Sequence, residues 1–190
     1  MSTETALLEA AERVLAERGI QATTVADMTA AAGVAKGTFY LYFATKEDVI
    51  RALQRRHFQA MLDRVADAAA KLQDADWWDV VDSLIETIVD YDCEQRDWYC
   101  KVIQGWAPPA TDVDKPRKQI HDLIAGAIRT GMDGGHCHAE DPEFTALLLQ
   151  SALEGSTQHL FLGEEEIDRD RLVHGFQQFV RKVLAVPHSH

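Results

Sequence analysis

Apolar residues recur every three or four positions along nearly the whole chain, the spacing of helices that bury one face. Ala6, Leu7, Ala10, Val14 and Leu15 predict a first helix over roughly Thr3 to Arg18, closed by Gly19. Val25, Met28 and Ala32 predict a short second helix, and Phe39 and Phe43, four apart, the inward face of a third over about Ala35 to Phe43. A long helix follows from Thr45 to about Leu72, carried by Val49, Ile50, Leu53, Met61 and Val65. The same period returns over Trp77 to Tyr91, Arg96 to Gln104, Lys115 to Arg129, from Pro142 onward, and over Asp168 to Leu184. Gly131 to Gly135 reads as a loop, and Gly105 to Ala110 as a break. The alternation that marks strands is scarce, so the pattern predicts an all-α protein of about nine helices.

The second and third helices carry the chemistry. Thr24 is placed to cap the second, and Asp27, three residues on, suits its positive end. Gly33 stands where the chain must turn, because glycine takes positive φ without steric cost. The third helix turns Lys36, Thr38, Tyr40 and Tyr42 outward, all able to donate to phosphate oxygens or base edges. Gly37 lets the backbone approach a surface, and Val34 and Ala35 can meet a thymine methyl. Thr45 with Asp48 marks the next helix start, placing Lys46 where charge and free N–H groups suit a phosphate.

The run Thr-Thr-Val-x-Asp-Met-x-x-Ala-Ala-Gly-Val-x-Lys-Gly-Thr-Phe-Tyr-x-Tyr-Phe-x-x-Lys-Glu, from Thr23 to Glu47, resembles the DNA-binding domain of the TetR (tetracycline repressor) family of transcriptional regulators. It covers about the first quarter of the chain. The resemblance implies a three-helix helix-turn-helix reader over residues 1–47 and a helical ligand-binding and dimerisation domain over 48–190. It implies phosphate contacts from Thr24, Tyr40, Tyr42 and Lys46, with Val25, Lys36, Gly37 and Thr38 nearest the bases. Thr29 departs from the small alanine usual between the crossing helices. The implied function is a regulator, most often a repressor, released from a palindromic operator when a small aromatic or lipophilic molecule binds.

Charge refines this picture. The net charge of the 190 residues is −12. Residues 1–56 nonetheless hold seven Lys/Arg against seven Asp/Glu, so the excess of negative charge lies beyond them. A neutral reader can still bind, because phosphate contacts are local. No apolar run reaches membrane-span length, and Met1 to Glu4 begins nothing like a secretory signal. Three cysteines, Cys93, Cys100 and Cys137, form no even framework, which suits a cytoplasmic protein.

All four tryptophans fall in the middle third. Trp98, Tyr99 and Trp106 are read either as the lining of a ligand cavity or as core packing, and Trp77 as core. Phe144 is a further ligand-lining candidate. His159 either lines that cavity or sits in a dimer seam. The last two helices have apolar faces too wide for one subunit's core, and the small residues Ser151, Ala152, Gly155 and Ser156 let another helix approach. Pairing with a second copy predicts a four-helix seam and a symmetric homodimer. His136, Cys137 and His138 are metal-ligand types in too short a run, and no metal or cofactor is expected. Arg51, Arg55 and Arg56 read as solvated helix surface. No nucleophile elbow, phosphate loop or paired-carboxylate motif appears, so no enzyme is expected. The competing expectation is a small-molecule scavenger with a vestigial reader.

Overall fold

The computed structural model describes residues 2–72, 75–98, 100, 102, 110–162 and 168–186. Every regular element among them is helical: α1 (Thr3–Ala22), α2 (Val25–Ala32), α3 (Lys36–Phe39), α4 (Lys46–Lys71), α5 (Trp77–Glu94), α6 (Arg96–Trp98), α7 (Ala110–Asp133), α8 (Pro142–Leu162) and α9 (Arg169–Val183). The chain divides into two compact units, Met1–Ala60 with Gln95–Val113, and Met61–Glu94 with Asp114–His190. Helix α4 runs unbroken through the boundary between them.

The first unit is built on Leu7, Leu15, Met28, Phe39, Phe43, Ile50 and Leu53, one apolar stripe from each of α1 to α4. Val102 joins this core from far along the chain, fully buried, and Trp98 packs beside it. The stretch after α5 therefore contributes to the core of the reader. Its predicted helix over Arg96 to Gln104 is seen as the short α6, with Cys100 and Val102 in a wider π-type turn, and the predicted break over 105–109 lies outside the described residues.

The second unit packs α5, α7, α8 and α9 around Ile85, Val89, Ile128, Leu149, Val173, Phe176 and Val180. Helix α7 runs on to Asp133, through part of the predicted glycine loop. Gly131 explains why. A Cβ there would lie 2.5 Å from the Trp77 ring and 2.8 Å from Cys137 Sγ, so the bare backbone makes room for the indole. Trp77 also donates its Nε1–H to the Ala127 carbonyl at 3.2 Å and belongs to the core. Asp141 caps α8 by accepting from the Phe144 N–H at 2.9 Å, with Pro142 at the first helical position. Asp168 caps α9.

The start of α8 and the end of α9 lie together, since the His138 N–H donates to the Leu184 carbonyl at 3.0 Å. There the second unit leaves apolar surface open. Phe144, Leu147 and Leu148 of α8 are exposed, as are Phe179 and Val183 of α9 and Val186 just beyond it. On α8 the open face continues along the helix as Ser151, Gly155 and His159. These positions share one helical stripe, so the face is a property of the whole element.

Candidate nucleic-acid interface

The reader is assembled from local hydrogen bonds around a small core. Thr24 Oγ1 accepts the Asp27 N–H at 3.2 Å, while Asp27 Oδ2 accepts both the Thr24 N–H at 2.9 Å and the Thr24 hydroxyl at 2.6 Å. This reciprocal cap fixes the start of α2. The bonds from Thr24, then the Arg18 guanidinium 3.0 Å away, hold the Asp27 carboxyl below its usual range. At the other end Gly33 adopts φ 68°, the left-handed cap that lets the chain turn into α3. The Val34 N–H closes the turn onto the Thr29 carbonyl at 3.0 Å. Thr29 is buried, and its hydroxyl is satisfied by the Ala26 carbonyl at 3.1 Å, which is how threonine fits between the crossing helices.

Helix α3 is shorter than its apolar spacing predicts, Lys36–Phe39 rather than about Ala35 to Phe43. Beyond Phe39 the chain tightens. Leu41 N–H bonds to the Thr38 carbonyl and Tyr42 N–H to the Phe39 carbonyl, three residues back, before Phe43 N–H returns to the four-residue spacing at 2.9 Å. Phe39 and Phe43 are both buried, so the turn between them is pinned from beneath. Lys36, Gly37, Tyr40, Leu41 and Tyr42 consequently face outward.

Two lysines behave differently. Lys36 is exposed, with its ammonium clear of the core. Lys46 reaches back, and its Nζ donates to the carbonyls of Ile20 at 2.7 Å and Thr23 at 3.0 Å. It clips the end of α1 to the start of α4 and keeps one N–H of three for an outside partner. The start of α4 repeats the reciprocal cap: Thr45 N–H and hydroxyl donate to Asp48 Oδ2 at 2.8 and 2.9 Å, and Asp48 N–H donates to Thr45 Oγ1 at 3.2 Å. Val25 is half-buried against the core, so only part of it faces outward.

The arginine reading needs correction at two positions. Arg56 pairs with Glu12 of α1, and Arg51 with Asp48, so neither is merely solvated surface. His57 Nε2 lies 2.8 Å from the other Glu12 oxygen. The His57 bond and the Arg56 charge hold the Glu12 carboxyl below its usual range against the opposing effect of burial.

The expected ligand-lining residues are divided between the two units and the undescribed segment. Trp98 belongs to the first unit, its ring 4.0 Å from His57 centre to centre, and its indole N–H is buried without a hydrogen-bond partner among the described residues. Tyr99 and Trp106 lie outside the described residues. Phe144 and His159 belong to the second unit and are exposed on the open stripe of α8. His136 stacks on Trp77 and Cys137 is buried; among the described residues no three His, Cys, Asp or Glu side chains gather as a metal site would require. No described helix is long and apolar enough to cross a membrane. Pattern reading missed Asp92. Its carboxyl on α5 is pushed up to about 7, chiefly by burial and further by Glu154, against a hydrogen bond from Thr157. A lone aspartate on a helix rich in acidic residues gives no sign of burial.

Comparison with known proteins agrees with this geometry. Residues 7–53 match the family described as bacterial regulatory proteins, tetR family. The HTH-type transcriptional regulator YvdT of Bacillus subtilis is 36% identical over 80 residues, an alignment covering 42% of this chain and 40% of YvdT. TtgR of Pseudomonas putida, an HTH-type transcriptional regulator, is 26% identical over 182 residues, covering 87% of this chain and 83% of TtgR. Two solved structures share the fold from end to end. The fatty acid degradation regulator FadR of Bacillus halodurans has a TM-score of 0.75 at 21% identity, over 95% of each chain. SmeT, the repressor of the Stenotrophomonas maltophilia multidrug efflux pump SmeDEF, has a TM-score of 0.75 at 20% identity, over 100% of this chain and 96% of its own. With its capped two-helix hook and left-handed glycine turn, the segment 7–53 is matched by the tetR family of bacterial regulatory proteins, and the all-helical body shares the fold of FadR and SmeT.

Proposed function

We propose that this chain is a ligand-responsive transcriptional repressor that binds a palindromic operator as a homodimer. The observation that carries the reading is the outward face Lys36, Gly37, Tyr40 and Tyr42, held rigid because Phe39 and Phe43 anchor it from within. Thr24, Tyr40, Tyr42 and the remaining N–H of Lys46 would hold phosphates, and Val25, Lys36, Gly37 and Thr38 would lie nearest the bases, with residues 1–47 as the reader. Two readers on a symmetric dimer would enter major grooves about 34–36 Å apart or somewhat wider.

The open stripe of α8 with the exposed end of α9 supports a dimer seam through the last two helices. Phe144 and His159 are assigned to that seam, since both lie on it. Trp98, Tyr99 and Trp106 are kept as effector contacts. An aromatic or lipophilic effector fits this segment, because Trp98 and Val102 join the segment to the reader's core and a ligand that shifts them alters the reader. FadR and SmeT, by their descriptions, regulate fatty acid degradation and repress a drug efflux pump, which supports an effector of this kind.

Fluorescence anisotropy on the DNA upstream of the chain's own coding region, across a salt series, tests the reading. Tight, salt-dependent binding by a dimer is expected. A folded dimer that fails to bind even at low salt would instead mark a scavenger of small molecules with a vestigial reader.

A further inference from the structure

Leu41 is the most exposed of the large apolar side chains described, at 81%. It stands between Tyr40 and Tyr42, themselves 51% and 44% exposed, so three consecutive large side chains face outward. A scattered surface leucine needs no explanation, but this one is held in place. It lies two residues from Phe39 and two from Phe43, both buried, so the turn directs it away from the core. Its own N–H is bonded to the Thr38 carbonyl at 3.2 Å, and the Tyr42 N–H to the Phe39 carbonyl at 3.0 Å, which fixes the backbone on either side. Four residues earlier, on α3, is Gly37, with nothing within 4 Å of where a Cβ would stand. The segment therefore offers open space at Gly37 and then an apolar knob on the turn that follows α3, the helix that presents Lys36 and Thr38.

We propose that Leu41 is a specificity-determining residue that packs on the 5-methyl group of a thymine at the edge of the major groove. The inference rests on the DNA-binding reading above and adds to it a contact of different chemistry. An isobutyl group offers phosphate nothing, whereas the thymine methyl is the apolar feature of the major-groove edge. The neighbouring tyrosines can bond to phosphates on either side and hold the leucine against the groove wall. This contact releases no counterions, so it adds affinity without adding to the salt dependence.

The test uses the full-length protein and a duplex recovered by selection from a random-sequence pool with the unaltered chain. Dissociation constants are measured for the unaltered chain, Leu41→Ala and Leu41→Met on that duplex and on its counterpart with uracil in place of thymine. Leu41→Ala is expected to lose about fivefold to tenfold on the thymine duplex, with an unchanged salt slope and melting temperature, and less than about twofold more on going to uracil. Leu41→Met should retain most of the affinity. Binding by Leu41→Ala within twofold of the unaltered chain on thymine overturns the proposal, as does an equal loss on both duplexes or a changed salt slope. If the unaltered chain selects no duplex, the DNA-binding reading falls and this inference with it; if it selects one and Leu41→Ala is neutral, only the inference falls.

Discussion

At the scale of single residues, Asp92 makes the sharpest prediction. In the folded chain its carboxyl is pushed up to about 7, well above the ordinary aspartate range near 3.8, because burial disfavours the charged form. Between those values the folded chain keeps a proton that the unfolded chain releases. Folding is therefore favoured less as pH rises through that window, and the loss is complete above about 7. Asp92→Asn removes the ionisation. The variant should gain stability relative to the parent between pH 5 and 7, by about 1–3 kcal/mol, and the gap should then stay constant. Thermal melts of both proteins across that range measure it; a pH-independent gap would show Asp92 ionising freely. Gly131 predicts the opposite kind of effect. Gly131→Ala drives a methyl into the Trp77 ring and Cys137, two groups already packed in the core, and should cost about 1–3 kcal/mol in urea unfolding.

At the scale of elements, the reader depends on caps and clips more than on the propensity of its helices. Four-residue α3 has no side-chain cap of its own and would not form in isolation. It is held by Phe39 and Phe43 below and by the reciprocal caps at Thr24 and Thr45 on either side. Thr24→Ala should lower stability by about 1 kcal/mol, read by chemical denaturation. Lys46 is the more informative position, because one ammonium serves two functions. Lys46→Met removes the ammonium from the Thr23 carbonyl and leaves the Ile20 carbonyl only the Thr23 N–H at 3.4 Å, and should cost about 1–2 kcal/mol of stability. The same substitution should weaken binding to every DNA sequence alike. Loss of stability with no change in salt slope would confine Lys46 to the clip.

At the scale of the whole molecule, charge and symmetry govern behaviour. Each reader brings Lys46 to a phosphate and Lys36 to the groove edge, so a dimer has at most about four charged contacts, and log K should fall with log salt at a slope no steeper than about −4. A much steeper slope would mean that arginines beyond the reader take part. Replacing Leu148, exposed on α8, by glutamate puts a charge in the middle of the proposed seam. Leu148→Glu should sediment as a folded monomer and lose operator affinity by more than a hundredfold, since one reader alone keeps half the contacts. A dimeric Leu148→Glu would move the seam elsewhere.

The sequence by itself determined the helical class, the hook from Thr23 to Glu47 and where most helices begin. These follow from local rules: apolar spacing, a threonine with an acidic residue three further on, a glycine where φ turns positive. The open faces of α8 and α9 were legible for the same reason, as a surplus of apolar positions along one stripe. The tertiary structure alone decided where distant groups meet. It brought Val102 and Trp98 into the first unit's core, turned Lys46 onto two carbonyls more than twenty residues earlier, paired Arg56 with Glu12 and enclosed Asp92 beside Glu154. Local periodicity records which side of a helix is buried, but not which partner buries it. Burial and charge pairing depend on the partner, so they become visible only once the chain has closed on itself.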